Sequence, residues 1–198
     1  MRRDEFASYD PNLLQEILQR CDYGTLALFD SKPYALPINF ASHGEKIVFH
    51  GAKAGRKFEI LSQRPLVALS VVLPYAFIPS HFSGTSLACP ATQFFISAHL
   101  SGEVELVRDS DLACVFLESL MQKMQKEGGY EPITPQNTRY THMLEKTATF
   151  ALTPKEWSIK VKLGQNRPLE AREKLIAMLL ERGEPLDIFT LEALKSLA

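Results

Sequence analysis

Cysteine is scarce: Cys21, Cys89 and Cys114 are the only three in 198 residues, widely spaced and without a C-x-x-C pair. That odd, scattered set indicates neither a disulfide framework nor a zinc site, and small apolar thiols are the plain reading. No apolar run approaches the roughly 20 residues of a membrane helix. The segment "MRRDEFASYD" lacks the apolar core of a signal peptide, so the expectation is a cytoplasmic protein with no membrane partner. Excess charge is lacking too, with a formal net charge of -1. Together with the absence of a helix-turn-helix bearing a basic recognition face, this argues against nucleic acid as a partner. Several site signatures are missing: the P-loop G-x-x-x-x-G-K-[ST], the dinucleotide G-x-G-x-x-G and the metal-binding H-E-x-x-H. Ser83, Gly84 and Ser86 in "HFSGTS" have no strand–turn–helix context for a G-x-S-x-G nucleophile. No metal site is expected.

The length suits one domain, taken as 1–198, with a strand-rich core over about 22–163 and C-terminal helices over about 167–198. In "DPNLLQEILQRCDYG", Asp10 is a candidate N-cap, Pro11 a first helical residue, and Leu13, Leu14, Ile17, Leu18 and Cys21 share a face, with Gly24 as the stop. "TLALFD", "YALPINFA" and "KIVFH" are short β-rich runs separated by "DSKP" and "SHGE", the pattern of a hairpin meander. A short helix in "GRKFEILSQR" stops at Pro65. "LVALSVVL" and "TQFFISAHLSGEVELV" read as long strands, with Gly102 marking a bulge or strong bend. Between them "PYAFIPSHFSGTSLACPA" reads as a long loop, either a lid or a packing segment. In "DSDLACVFLESLMQKMQKEGG" Leu112, Val115, Phe116, Leu120 and Met124 define one helical face. "TFALTPKEWSIKVKLG" returns to β patterning, and two helices follow with Pro168 and Pro185 near their starts. Strands first and helices mostly at the ends predict an α+β class, an antiparallel barrel with peripheral and C-terminal helices.

Charge gathers in one place. Around "VFHGAKAGRKFEIL", five cations, Lys46, Lys53, Arg56, Lys57 and Arg64, stand against Glu45 and Glu59. Gly51 and Gly55 let the backbone approach a ligand, and a helix starting near Gly55 presents unpaired N–H groups and the positive end of its dipole. Arg56 offers a planar fork for two phosphate oxygens and Lys57 a point charge. The pattern fits a phosphate site. It also fits a solvated basic helix start, and composition alone leaves both open.

"PINF", followed about ten residues later by "VFHGAKAGRK" and an apolar strand, resembles the pyridoxamine 5'-phosphate oxidase-like, FMN-binding split-barrel superfamily, in particular its nitroimidazole-resistance-like branch. "ACPATQFFISAHLSGEVELV" resembles the same branch less closely, and "KLGQNRP" is similar to a K-L-x-Q-N-R signature there and in related flavin-fold regulators. The matches run from about residue 20 to residue 170. The resemblance implies that Arg56 and Lys57 hold the FMN phosphate, and that His50 and Gly51 sit beside the ribityl chain or ring. It further implies that Pro37, Ile38, Asn39 and Phe40 flank the isoalloxazine, and that Gln165 and Asn166 touch the cofactor. It also implies a homodimer with FMN near the subunit interface, acting as a flavin-dependent oxidoreductase on NAD(P)H and a small electron-poor substrate, nitroaromatics included. A non-enzymatic flavin- or haem-binding sensor of the same fold is the alternative. The pyridoxamine phosphate oxidases proper carry two basic residues on the strand reading "ALPINF" here, and a C-terminal tryptophan–arginine segment. Neither is present, so pyridoxamine phosphate oxidation itself is not implied.

The remaining candidates divide by context. His50, at a strand end, can hydrogen-bond a cofactor or pass a proton, and is the candidate catalytic residue. His43 reads as a turn residue, and His99 as a core or interface group. Tyr75, Phe77, His81 and Phe82 are the loop residues able to shield a flavin face or pack a dimer. Trp157 fits the core or a stacking interface.

Overall fold

Pro11 presets a helical φ and lacks an N–H that a first turn would leave unpaired anyway, so it opens α1 (Pro11–Arg20), just after the two-residue strand β1 (Ala7–Ser8). The computed structural model describes residues 3–196. The first two and last two residues, at the ends of the N-terminal segment and of the predicted final helix, lie outside the described residues. Gly24, expected to stop α1, instead belongs to β2 (Tyr23–Asp30). A Cβ there would come within 2.7 Å of Val71 Cγ1, so close packing requires the glycine.

β2 turns at Ser31, which has a φ of 54°, into β3 (Lys32–Asn39). β4 (Ala41–His43) and β5 (Lys46–Ala52) form a hairpin about Gly44. After α2 (Arg56–Leu61), β6 (Leu66–Ile78) runs further than its sequence suggested. Pro74, expected to start a loop, lies within the strand, and burial alternates through it: Leu73 and Tyr75 point inward and Pro74 outward. Tyr75 is therefore a buried strand residue and Phe82 a buried one in a short 3-10 turn, which removes both as covers for an open site. β7 (Thr92–Leu106) carries Gly102 where a Cβ would meet Thr153 O at 2.0 Å, so the close backbone approach requires the glycine. α3 (Ser110–Met124), α4 (Thr141–Lys146), β8 (Thr147–Lys162), α5 (Leu169–Arg182) and α6 (Pro185–Ser196) complete the order.

The strands hydrogen-bond in the order β3-β2-β6-β7-β8-β5-β4, and β1 adds to β8. The β1–β8, β2–β3, β2–β6, β4–β5 and β5–β8 ladders are all antiparallel. The fold class is α+β with the antiparallel sheet of a split β-barrel. Among the described residues no helix is long and apolar enough to cross a membrane.

The chain divides into two units, one of Pro11–Val71 with Ala98–Trp157, the other comprising the residues up to Asp10, Val72–Ser97 and those from Ser158 onward. In the first, Ala41, Val48, Phe116, Leu120 and Ala151 form a core cluster, and Phe49 stacks on Phe150 with centroids 5.5 Å apart. Burying each such aromatic is worth about 1.5–3 kcal/mol. α3 presents Cys114, Phe116 and Leu120 inward and leaves Leu112, Val115 and Met124 exposed, so its buried stripe is rotated from the expected face. Its N-terminus is capped by Asp109, whose Oδ1 accepts from Leu112 N at 2.8 Å. In the second unit the fully buried Asp187 pairs with Arg182, whose Nη1 also donates to Phe77 O at 3.1 Å. That hydrogen-bonded guanidinium holds the Asp187 carboxyl below its ordinary value.

Lys123 closes the first unit in a way no local pattern announces. Its Nζ donates to Leu18 O at 2.8 Å, Cys21 O at 2.5 Å and Phe40 O at 2.9 Å, and lies 3.8 Å from the Phe40 ring centroid. One ammonium thus satisfies carbonyls at the end of α1 and after β3. Desolvation lowers its pKa to about 8, against the opposing charges of Cys21 and Asp22. Lys123→Met leaves those three acceptors without their donor and should lower stability by about 1–3 kcal/mol. Urea unfolding reads it, and an unchanged midpoint would show that the ammonium is not a clamp.

Candidate functional site

β5 ends in His50 and Gly51, and three residues later Gly55 starts α2 with φ 83° and ψ 173°, a conformation side chains resist. Gly55 is the N-cap and supplies no side-chain acceptor, so the first amide N–H groups of α2 keep their donor capacity. The helix is held from below by Ile60 and Leu61, both buried, and by Phe58 tilted on Phe150. The basic pair at its start is therefore set on a fixed base.

Arg56 lies over the Tyr34 ring, with Cζ 4.5 Å from the centroid, and its Nε is 4.0 Å from Asp30 Oδ2. Asp30 is well exposed, which makes that ion pair weak. The decisive atom is Nη2: it is buried and has no hydrogen-bond partner. Among the described residues Ser42 Oγ and Arg172 Nε share that condition, but neither stands at a glycine-opened helix start. Lys57 reaches back to donate to His50 O at 3.3 Å, crossing the space a side chain at Gly51 would fill, since a Cβ there would lie 2.4 Å from Nζ. A side chain at Gly51 would therefore displace the lysine from this position. Desolvation lowers the Lys57 pKa.

His50 is exposed at its surface, but desolvation of its ring, and second the charge of Lys57, lower its pKa below 6.5. It is neutral at pH 7 and able to accept a hydrogen bond or a proton. The structure brings His50, Gly51, Arg56 and Lys57 together. On β3 and just beyond it, Ile38 and Phe40 are buried at 5% and 0% exposure, so their side chains belong to the core. Pro37 and Asn39 are exposed, with Asn39 Nδ2 donating to Asp22 O at 2.9 Å.

Gln165 and Asn166 lie in the other unit. The Gln165 amide is engaged locally, accepting from Leu163 N and donating to Val161 O and Glu5 O, while Asn166 is exposed beside a cleft. His99 is exposed on β7, not in the core as its apolar strand suggested. His43 bonds Ser119 Oγ at 2.9 Å through Nδ1 and leans on Phe116. Trp157 is half-buried. Sequence reasoning missed Tyr34 and Asp30, the two residues that position Arg56. They are brought to α2 by the β2–β3 hairpin, and neither carries a local signal of that role. Among the described residues no group of three or more His, Cys, Asp or Glu could hold a metal.

The His50 shift has a sign that can be tested. Because the folded pKa lies below the unfolded one, the associated stability is fully present above about pH 6.5 and is lost as pH falls through the folded value. Lys57→Met removes one of the two causes and should move the His50 titration upward toward 6.5 in an NMR pH series. A downward or absent movement would break the proposed charge coupling.

Residues 10–161 match the model of the pyridoxamine 5'-phosphate oxidase family. Similar solved structures include an FAD- and haem-binding protein from Mycobacterium smegmatis, 24% identical, covering 86% of this chain and 79% of that one, with a TM-score of 0.69. A flavocytochrome from Azotobacter vinelandii is 23% identical over 82% of this chain and 72% of its own, with a TM-score of 0.68. A protein described as a candidate 5-nitroimidazole antibiotic resistance protein from Bacteroides thetaiotaomicron is 19% identical over 78% of this chain and 86% of its own, with a TM-score of 0.63. Among curated proteins none matches the chain in sequence. The likeness to solved structures is one of fold, whereas the family match covers most of the sequence, from before α1 almost to the end of β8. On that match, the chain belongs to the pyridoxamine 5'-phosphate oxidase family.

Proposed function

We propose that the chain is a flavoprotein that holds FMN by its phosphate at the β5–α2 junction, and that it works as a flavin-dependent oxidoreductase in a homodimer. The observation that carries this reading is the buried, unpartnered Nη2 of Arg56 at a helix start opened by Gly55. A buried donor without an acceptor costs about 1–3 kcal/mol. A phosphate oxygen is the acceptor that the neighbouring Lys57 and the free amides of α2 would also favour. The residues present therefore fit the phosphate end of the cofactor. The names of the similar structures, which mention FAD, haem and flavocytochrome, support a flavin in this fold.

Each residue has a task in this reading. Arg56 and Lys57 bind and neutralise the phosphate, Gly51 and Gly55 allow close backbone approach, and the Tyr34 ring supports the guanidinium. Pro37 and Asn39, exposed on β3, give apolar contact and an amide for the ring system. His50, neutral at pH 7, holds or accepts a proton beside the cofactor. When bound, FMN supplies hydride and electron transfer between NAD(P)H and a small electron-poor acceptor, nitroaromatics included. Exposed Tyr23, Phe29 and Leu66 supply apolar surface for the second subunit.

A second reading, a non-enzymatic flavin- or haem-binding sensor, draws on the haem named in one of the similar structures. Steady oxidation of NADH or NADPH by the FMN-loaded protein is the outcome expected of an enzyme. A flavin or haem absorption spectrum without turnover selects the sensor. Arg56→Ala should reduce FMN affinity roughly 10- to 150-fold, the loss of one charge-assisted contact, while the far-UV spectrum and unfolding midpoint stay close to wild type. Equal affinity in a fluorescence titration of the two proteins would remove the phosphate assignment.

A further inference from the structure

A second concentration of positive charge lies in the other unit, where β8 ends. Arg3, Lys162 and Arg167 line a cleft of about 380 Å³ floored by Phe6 and Phe94, with Cys89 also in its lining. That volume is within the range of small-molecule sites. No carboxylate lines the cleft, and among the described residues none of the three cations is in an ion pair. In a chain whose net charge is -1, three uncompensated cations around one concavity are a local excess. Like charges held together repel, and the repulsion is relieved by an anion between them.

The cleft is held open by its own corner. Gly164 has a φ of 78°, and a Cβ there would come 2.8 Å from Phe94 Cζ and 3.4 Å from Arg167 Cδ, so only glycine lets both side chains sit where they do. Arg167 N donates to Gly164 O at 3.0 Å, which fixes the turn that aims the arginine. The Gln165 amide bridges Leu163, Val161 and Glu5 main-chain atoms, tying this corner to the N-terminal segment that carries Arg3. Lys162 bonds Thr92 Oγ1, and desolvation together with the charges of Lys160 and Arg3 lowers its pKa. The exposed Asn166 adds an amide to the lining.

We infer that the Arg3–Lys162–Arg167 cleft is a second anion site, separate from the Arg56–Lys57 junction, and that it takes a small molecule bearing a phosphate or carboxylate group. Arg167 supplies the planar fork for two oxygens, Lys162 and Arg3 the flanking charge, and Asn166 a neutral donor. The inference stands on residues of one unit and does not require that FMN be bound elsewhere.

Cys89 gives a local reporter, because it is exposed in the cleft lining while Cys21 and Cys114 are buried. The experiment measures the rate at which Cys89 reacts with dianionic dithiobis(nitrobenzoate) and with uncharged methyl methanethiosulfonate, each relative to free cysteine. Both are repeated with inorganic pyrophosphate and with citrate, which separate phosphate from carboxylate recognition. We expect the anionic reagent to be favoured and at least one of the two anions to protect Cys89. Arg167→Gln and Lys162→Gln should each raise the half-protecting concentration about tenfold or more, and Arg56→Ala should leave it unchanged. Absence of protection by both anions in the wild-type protein overturns the inference, even should the variants fail to fold. So does protection indifferent to both substitutions. Protection by FMN at the concentration that saturates its binding would assign the cleft to the flavin and equally overturn a separate site.

Discussion

An arginine whose inner nitrogen is sealed from water with no acceptor is the condition on which the functional reading rests. Arg56 is placed there by three things: the flat ring of Tyr34, a helix start that only glycine can make at Gly55, and a distant, exposed Asp30 that pairs with Nε but not with Nη2. A folded chain keeps few such atoms, because each costs more than an ordinary hydrogen bond returns. Lys57 intensifies the condition, since it adds charge and turns its ammonium to the His50 carbonyl across the space left by Gly51. His50 beside it has a depressed pKa, first from desolvation and second from the charge of Lys57.

Three enclosed cations in this protein show why position in the sequence does not reveal role. Lys123 uses its ammonium on three carbonyls, and Arg182 is matched by the buried carboxylate of Asp187 and by Phe77 O. Both are satisfied, and both hold the fold. Arg56 is close to them in burial but lacks the partners. What separates Arg56 from Lys123 and Arg182 is thus hydrogen-bond completeness, and only the assembled neighbours decide it.

Much of the fold was legible because it rests on local chemistry. Alternation in "TLALFD" and "KIVFH", prolines at positions 11, 168 and 185, and the basic glycine-flanked junction all act within a few residues. The misreadings share a cause. Gly24 and Pro74 carry the residue types of stops and turns, yet Gly24 lies inside a strand where the Val71 side chain leaves no room for a Cβ. Pro74 sits outward in a strand whose alternation continues through it. The face of α3 was rotated for a related reason, as its apolar residues exceed what one stripe can bury and the packing against Ala41, Val48 and Ala151 chose among them.

By itself the sequence determined the antiparallel α+β class, the starts of α1, α5 and α6 and the position of the basic junction, though not α4, because backbone propensity, alternation and charge density are properties of short stretches. Only the tertiary structure decided which charges are compensated. Tyr34 and Asp30 come to Arg56 through a hairpin, Lys123 reaches carbonyls more than 80 residues away in sequence, and Arg3 joins Arg167 across nearly the whole chain. Electrostatic satisfaction depends on distances of a few ångströms between residues remote in sequence, and no run of neighbouring letters records them.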